Sequence, residues 1–348
     1  MESGILSNFS PPIHLSPANS VEGISKKGLQ RYTDCGKIQG KFTPKSPKGD
    51  FNTMVEAVKA PFRVFGGRGI HIFEAMKQIL TFFALISCFW LSAQQQILYC
   101  GHSHNDYVHE HPLFDALSYG YKSIEIDVWL HNGKLVVDHD GIGLDSKKDI
   151  EELYLQPITE RVKAHHGWAY DGDTTPTIFM VEFKNDAEDC YVVLKQLIEK
   201  YKGLFADRMG RGGPIKLLIT GHRPWQTLLK GNELYVTADG DIKQSSESTP
   251  NYILERVSDP YSEHFIWKGK GTMPKAQKEK LIALVKLAHD HGRQIRFYAL
   301  PQNENVWREM LDAGVDWINI DKLERFAAFY KTYVLVHGSS GGCHCIRM

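Results

Sequence analysis

Residues 101–140, GHSHNDYVHE HPLFDALSYG YKSIEIDVWL HNGKLVVDHD, decide how the chain folds. Two apolar runs, 122–130 and 134–137, are rich in β-branched residues and are joined by Asn132-Gly133, a strong turn dipeptide. They predict a strand followed by a hairpin arm. Charged and histidine side chains interrupt or end each apolar run. Because a buried charge is costly, polar residues at the carboxyl ends of strands usually face a functional site.

Apolar strands and helical segments alternate along the rest of the chain. Besides the hairpin, strands are predicted at 97–100, 178–181, 216–220, 233–237, 264–267, 294–299 and 316–320. Helices are predicted at 112–118, around 190–198, at 274–291 and at 303–313. This alternation predicts an α/β protein with a single (β/α)₈ TIM barrel over residues 94–330. A doubly wound open sheet is the alternative, although no glycine-rich phosphate loop follows the first strand.

The two ends of the chain differ from the barrel segment. Residues 76–93 combine Met76-Lys77, an uncharged apolar run over 79–91 and Ala93, which is the layout of a secretory signal peptide. We therefore expect export, with a true start at Met76. Residues 1–75 are then a misplaced start or a disordered extension. A lipoprotein anchor at Cys88 is the less favoured reading. Residues 331–348 are expected to form a flexible tail.

The overall composition excludes several classes of function. The 41 Lys and Arg balance the 41 Asp and Glu, and no basic block occurs, so we expect no nucleic-acid partner. The six cysteines include no CxxC pair, which argues against a structural zinc site. Nothing in the sequence implies a stable protein partner.

The polar residues at the strand ends predict the chemistry. In a barrel, the carboxyl ends of the strands meet on one face, so five side chains are expected to converge there: His102, Glu125, Asp127, His139 and Glu182. Glu125 and Asp127 are two residues apart and leave their strand on the same side. Carboxylate oxygens suit Mg²⁺ or Ca²⁺. Two histidines are suited to share acid and base work, and Lys184 to stabilise negative charge on a phosphoryl group.

The order of these motifs resembles the glycerophosphodiester phosphodiesterase and phosphatidylinositol-phospholipase-C-like superfamily. The resemblance covers residues 97–330, and its branch named for "altered inheritance of mitochondria" is the most similar. It implies a phospholipase-C-like barrel, a small-molecule or lipid phosphodiester substrate, and a divalent Mg²⁺ or Ca²⁺ cofactor. By the same resemblance, His102 and His139 are the catalytic histidines, Lys184 lies near the phosphate, and the metal carboxylates are Glu125, Asp127 and Glu182.

The chain departs from the family pattern after the first histidine. Diesterases usually have Arg-Gly there, whereas this chain has Ser103-His104. We expect His104 or Asn105 to replace the missing arginine in binding phosphate. Which of His102 and His104 is catalytic stays open at this point.

We therefore expect an exported, metal-dependent phosphoric diester hydrolase, against two alternatives. One is a zinc-dependent amidohydrolase-like barrel that binds its metal through His102 and His104, with Lys184, His222, His264 and Asp321 as further ligands. The other is a non-catalytic exported barrel. Trp267, at the end of a predicted strand, is expected to line the pocket.

Overall fold

The structure is a computed structural model, which describes Lys77 and residues 95–337. The predicted extension over 1–75 and the rest of the predicted signal peptide over 76–93, with Cys88, lie outside the described residues. So do residues 338–348.

Nine strands form one sheet within the described residues, and eight of them are parallel. The parallel strands β1, β2 and β4–β9 close into a barrel because β1 pairs with both β2 and β9. The strand β3 is the antiparallel hairpin arm of β2. Their bounds are β1 Leu98–Ser103, β2 Tyr121–His131, β3 Lys134–Val137, β4 Thr177–Phe183, β5 Ile215–Gly221, β6 Val236–Gly240, β7 Leu254–Pro260, β8 Gln294–Tyr298 and β9 Trp317–Ile320. This confirms the predicted TIM barrel.

Helices follow most of the parallel strands and cover the outside of the barrel. Their bounds are α1 Phe114–Ser118, α2 Gln156–Ala164, α3 Ala187–Lys200, α4 Trp225–Leu228, α5 Tyr261–His264, α6 Lys275–Asp290, α7 Glu304–Asp312 and α8 Leu323–His337. A π-helical turn, Glu151–Leu155, precedes α2. The side chains between strands and helices form the main core, in which Trp307 and Phe326 meet edge to face. Within residues 95–337, no helix has both the length and the apolar character that crossing a bilayer requires.

Two of the predicted strands are misplaced. The sixth parallel strand is Leu254–Pro260, whereas the predicted segment 264–267 follows α5 as irregular chain. The sequence pattern does not predict this strand, because the charged residues Glu255, Arg256 and Asp259 interrupt the run of apolar residues that marks the other strands. The fifth strand, β6, lies three residues later than predicted and therefore ends at Asp239-Gly240.

The end of the barrel domain is also later than predicted. Helix α8 continues through His337, so residues 331–337 are not a flexible tail. Tyr333 explains the difference: it is buried, and its hydroxyl donates a hydrogen bond to Asp312 at 2.8 Å.

The barrel interior has an apolar layer and a polar layer. The apolar layer consists of Ile178, Met180, Leu218 and Trp317. The guanidinium of buried Arg256 stacks on the Trp317 ring at 4.5 Å. Toward the carboxyl ends of the strands the inward positions are instead acidic, hydroxylic or cationic. The sequence alternation of the strands thus places a polar layer at the catalytic face of a TIM barrel.

Candidate active site

A cavity of about 360 Å³ opens at the carboxyl ends of the parallel strands. All but one of the eight predicted site residues line it; the exception is His102. The lining residues are His104, Asn105, Glu125, Asp127, His139, Glu182, Lys184, Thr220, Gly221, Arg223, Asp239, Asp241, Ser258, Arg296 and Tyr298. Four of the five side chains expected to converge at the strand ends, all except His102, therefore line one cavity in the folded chain.

Three carboxylates from two adjacent strands form the centre of the cavity. Asp127 on β2 and Glu182 on β4 are directly paired in the parallel register. Together with Glu125, they bring one oxygen each to within 4.8 Å of one another. Gly221 on β5 allows this approach: a Cβ there would lie 2.6 Å from Glu182 Cγ, and its φ of +69° suits glycine.

Each of these carboxylates has one oxygen held by the protein. Asp127 Oδ2 accepts hydrogen bonds from the Tyr107 hydroxyl at 2.8 Å and from Lys184 at 3.0 Å. Glu182 Oε1 accepts from Lys184 at 2.9 Å. Glu125 Oε2 accepts from the His102 Nε2 at 2.6 Å and from Arg296 Nη1 at 2.9 Å. The carboxylates are thereby oriented before any ligand binds.

The electrostatics of this cluster suit a divalent cation. Burial, together with the charges of Glu125 and Glu182, raises the pKa of Asp127 to about 6, despite the opposing effects of Lys184 and Tyr107. Burial alone would also raise the pKa of Glu125, but the charge of Arg296 and the hydrogen bond from His102 hold it well below its ordinary value. Within the described residues, buried Asp127 Oδ1 has no hydrogen-bond partner. An unpartnered carboxylate oxygen beside two further carboxylates fits an oxygen-ligated Mg²⁺ or Ca²⁺.

Two histidines at the mouth of the cavity are each oriented by a carboxylate. His104 Nδ1 lies 2.7 Å from Asp321 Oδ1, and His139 Nδ1 lies 2.7 Å from Asp140 Oδ1. With ionised partners each Nδ1 donates, so each Nε2 is an acceptor in the neutral ring. Burial would lower the pKa of His104, but the Asp321 hydrogen bond and the nearby carboxylate charges outweigh it and raise that pKa.

His102 lies behind this arrangement and does not line the cavity. Its side chain is fully buried, with Nδ1 at 2.7 Å from the Ser123 hydroxyl and Nε2 committed to Glu125. Burial and the charge of Arg296 lower its pKa to about 3, so its ring is neutral. Of the two histidines after the first strand, only His104, two residues later, therefore reaches the cavity.

The loop after β1 is held in place by Asp106. This buried carboxylate accepts hydrogen bonds from the Ser103 hydroxyl at 2.8 Å, the Leu113 amide at 2.5 Å and the Tyr154 hydroxyl at 3.0 Å. Asn105 adopts a left-handed conformation with φ of +46°. The resulting turn places His104 and Tyr107 on either side of the acidic cluster.

The far side of the cavity holds residues that the sequence analysis did not select. Arg223 follows β5, Asp239 ends β6, and Arg296 and Tyr298 belong to β8. Asp239 was not selected because the predicted fifth strand ends at residue 237, before Asp239. Arg296 could have been selected from the sequence, because it is a charged residue inside the predicted strand 294–299, and a charge is rarely buried without a role.

The metal ligands of the zinc alternative do not assemble. Within the described residues, the groups of donors close enough to share an ion are Glu125, Asp127 and Glu182, and Asp259, Glu263 and His264. Neither contains His102 or His104.

Trp267, which was expected to line the pocket, does not line the cavity. Its side chain is buried, and its Nε1 donates a hydrogen bond to the Lys270 carbonyl at 3.0 Å.

Comparisons with known proteins match the same region of the chain. A family described as the AIM6-like phosphodiesterase domain matches residues 92–237, which include all eight predicted site residues. Altered inheritance of mitochondria protein 6 of Saccharomyces cerevisiae strain YJM789 is 34% identical over an alignment of 272 residues, which covers 64% of this chain and 68% of that protein. The protein of the same name from Eremothecium gossypii is 28% identical over 267 residues, or 66% and 68%.

A solved structure is similar to the barrel at lower identity. The glycerophosphodiester phosphodiesterase from Agrobacterium tumefaciens str. C58 aligns with a TM-score of 0.40 and 16% identity. The alignment covers 67% of this chain and 100% of that one.

Proposed function

Since the chain belongs to the family of altered inheritance of mitochondria protein 6, with its AIM6-like phosphodiesterase domain, we propose that it is a metal-dependent phosphoric diester hydrolase. The substrates proposed are glycerophosphodiesters or phospholipid head groups. The reaction adds water across a P–O bond and yields a phosphomonoester and an alcohol.

One observation supports this proposal above the others. Two histidines, each with Nδ1 held by a carboxylate, flank a three-carboxylate cluster in a single cavity. An imidazole oriented in this way is suited to general acid–base catalysis, because its second nitrogen stays available to the substrate. The acidic cluster, for its part, suits a hard cation rather than the bare anion of a phosphodiester.

Glu125, Asp127 and Glu182 would hold the divalent metal, which when bound polarises a phosphoryl oxygen and offsets the negative charge of the diester. Lys184, 3.0 Å from Asp127 and 2.9 Å from Glu182, adds a positive charge beside that position. Burial would lower the pKa of Lys184, but Glu182 and Asp127 raise it, so Lys184 stays protonated and stabilises the charge that develops on the phosphoryl oxygens.

The two cavity histidines then carry the proton transfers. One of His104 and His139 accepts a proton from the attacking water at Nε2, and the other donates a proton to the leaving alcohol oxygen. Asp321 and Asp140 hold the rings in the required tautomer and stabilise the imidazolium that forms. In this proposal the catalytic histidine at the end of the first strand is His104, which directly follows β1, and not His102.

The test is hydrolysis of a chromogenic phosphodiester and of a glycerophosphodiester by the full chain. The protein is stripped with EDTA, and Mg²⁺, Ca²⁺ or Zn²⁺ is restored singly. We expect activity to return with Mg²⁺ or Ca²⁺. Glu125→Gln should abolish it, whereas Glu160→Gln, on the exposed surface of α2 beside Lys163, should not. A folded chain that hydrolyses neither diester with any of the three metals would refute the proposal.

A further inference from the structure

A phosphate group in this cavity is bound best by a partly exposed cationic side chain whose amino groups have no hydrogen bond to the protein. Among the described residues that line the cavity, the lysine and arginine side chains are Lys184, Arg223 and Arg296. Lys184 bridges Asp127 and Glu182. Arg296 Nη1 bonds Glu125 and Asn319 at 2.9 Å, and its Nε bonds the Ser258 hydroxyl at 3.2 Å. Lys184 is thus held between two carboxylates, and Arg296 is buried, with Nη1 and Nε in use and Nη2 3.7 Å from Asp239 Oδ2.

The guanidinium of Arg223 is held by the protein at Nε, and its two terminal amino groups are available to a ligand. Its Nε donates to the main-chain carbonyl of Asp239. Within residues 95–337 neither terminal amino group makes a hydrogen bond, and the nearest carboxylate oxygen, Asp241 Oδ1, is 3.7 Å from Nη2. Asp241 is itself occupied, because its Oδ2 pairs with Lys243 at 3.1 Å and its side chain caps the following helical turn.

The position of Arg223 places it in the wall of the cavity that holds the acidic cluster. It follows β5 by two residues, and β5 lies beside β4 with Gly221 against the Glu182 side chain. The His222 amide also donates to the Phe183 carbonyl at 2.8 Å, which ties the segment before Arg223 to the end of β4. The side chain is 19% exposed and lines the cavity.

From these contacts we propose that Arg223 binds the phosphoryl oxygens of the substrate through its two terminal amino groups. This proposal rests on the proposed hydrolase function and deepens it. A guanidinium held at Nε presents Nη1 and Nη2 as a planar fork, which matches two oxygens of a phosphate. Asn105, in the loop after β1, carries no positive charge. The cationic group that binds the phosphate is therefore Arg223, on the opposite side of the cavity.

The first test is binding of inorganic phosphate to the full chain with Mg²⁺, measured by calorimetry, because it requires no turnover. Arg223→Ala should bind phosphate about 10- to 100-fold more weakly, as expected for loss of charged hydrogen bonds. Arg223→Lys keeps the positive charge but lacks the two terminal amino groups of the guanidinium. It should therefore bind phosphate more tightly than Arg223→Ala but more weakly than wild type. The control is Arg211→Ala, because Arg211 pairs with Asp207 before β5, at the opposite end of that strand.

The second test is rescue of diester hydrolysis. We expect kcat/KM of Arg223→Ala to fall about 10²–10³-fold and added guanidine to restore part of it, with no such effect on wild type or Arg211→Ala. Unchanged phosphate affinity in a folded Arg223→Ala and in Arg223→Lys would overturn the inference. If the wild type binds phosphate through Arg223 but hydrolyses no diester, the proposed function fails and this inference stands.

Discussion

At the scale of single residues, His102 and His104 look equivalent in sequence but differ in surroundings. His102 bonds Ser123 and Glu125 within the protein, whereas His104 has one nitrogen on Asp321 and the other facing the cavity. Two residues apart in a strand would share a side, so the difference arises because β1 ends at Ser103 and His104 already belongs to the loop that follows it. His102 is therefore a positioning residue for Glu125, and His104 the proposed acid–base group.

This contrast predicts different consequences for two substitutions. His104→Ala should lower kcat by about 10²–10⁴-fold with little change in stability, and should remove one limb of the pH–rate profile. His102→Gln should keep both limbs, while the lost contacts of Ser123 and Glu125 lower the free energy of unfolding by about 1–3 kcal/mol. Chemical denaturation and pH–rate profiles measure these effects. A wild-type profile for His104→Ala would contradict the assignment.

Tyr107 is a second positioning residue, and it acts on the proposed metal ligand Asp127. Its hydroxyl donates to Asp127 Oδ2 and leaves the unpartnered Oδ1 for a ligand. Tyr107→Phe should weaken Mg²⁺ or Ca²⁺ binding about 10- to 100-fold, as measured by calorimetry on the stripped protein. Tyr121→Phe is the matched control, because it also removes a hydroxyl hydrogen bond, to the Leu323 carbonyl, away from the cavity. Equal metal affinity in both variants would show that Tyr107 does not orient Asp127.

At the scale of elements, a histidine at the end of α6 connects that helix to the strands of the barrel. His289 Nε2 lies 2.8 Å from Asp316 Oδ2, which also accepts the Ile295 amide at 2.9 Å. The hydrogen bond and charge of Asp316 raise the pKa of His289 above its ordinary 6.5, against the effect of burial. Because the folded-state pKa is the higher one, this contribution to stability is fully present below about pH 6.5 and is lost as pH rises through the folded-state pKa.

The resulting prediction concerns stability as a function of pH. His289→Gln should lower the free energy of unfolding by about 1 kcal/mol at pH 5.5, a typical value for a histidine near a helix C-terminus. The difference from wild type should shrink toward pH 9. His291→Gln is the control, because His291 bonds the Leu287 carbonyl and, within residues 95–337, pairs with no carboxylate. A deficit in His289→Gln that does not change with pH would rule out the charged pair.

At the scale of the whole molecule, closure of the barrel assembles the site from distant parts of the chain. The His104–Asp321 contact joins residues 217 positions apart, and it forms because β1 pairs with β9. The cavity collects five carboxylates against three lysine and arginine side chains, although the chain as a whole has no net charge. That local excess of negative charge is why the proposed hydrolase requires a metal.

The sequence alone determined the barrel class, the metal carboxylates as candidates, and His139 and Lys184 beside them. It did so because strands have a period of two residues and their carboxyl ends meet on one face. Only the tertiary structure separated buried His102 from His104 at the cavity, and only it revealed Arg223, Asp239, Arg296 and the strand around Arg256. Burial, charge pairing and the direction of a side chain at a strand end depend on neighbours brought together by barrel closure, and a linear pattern does not contain them.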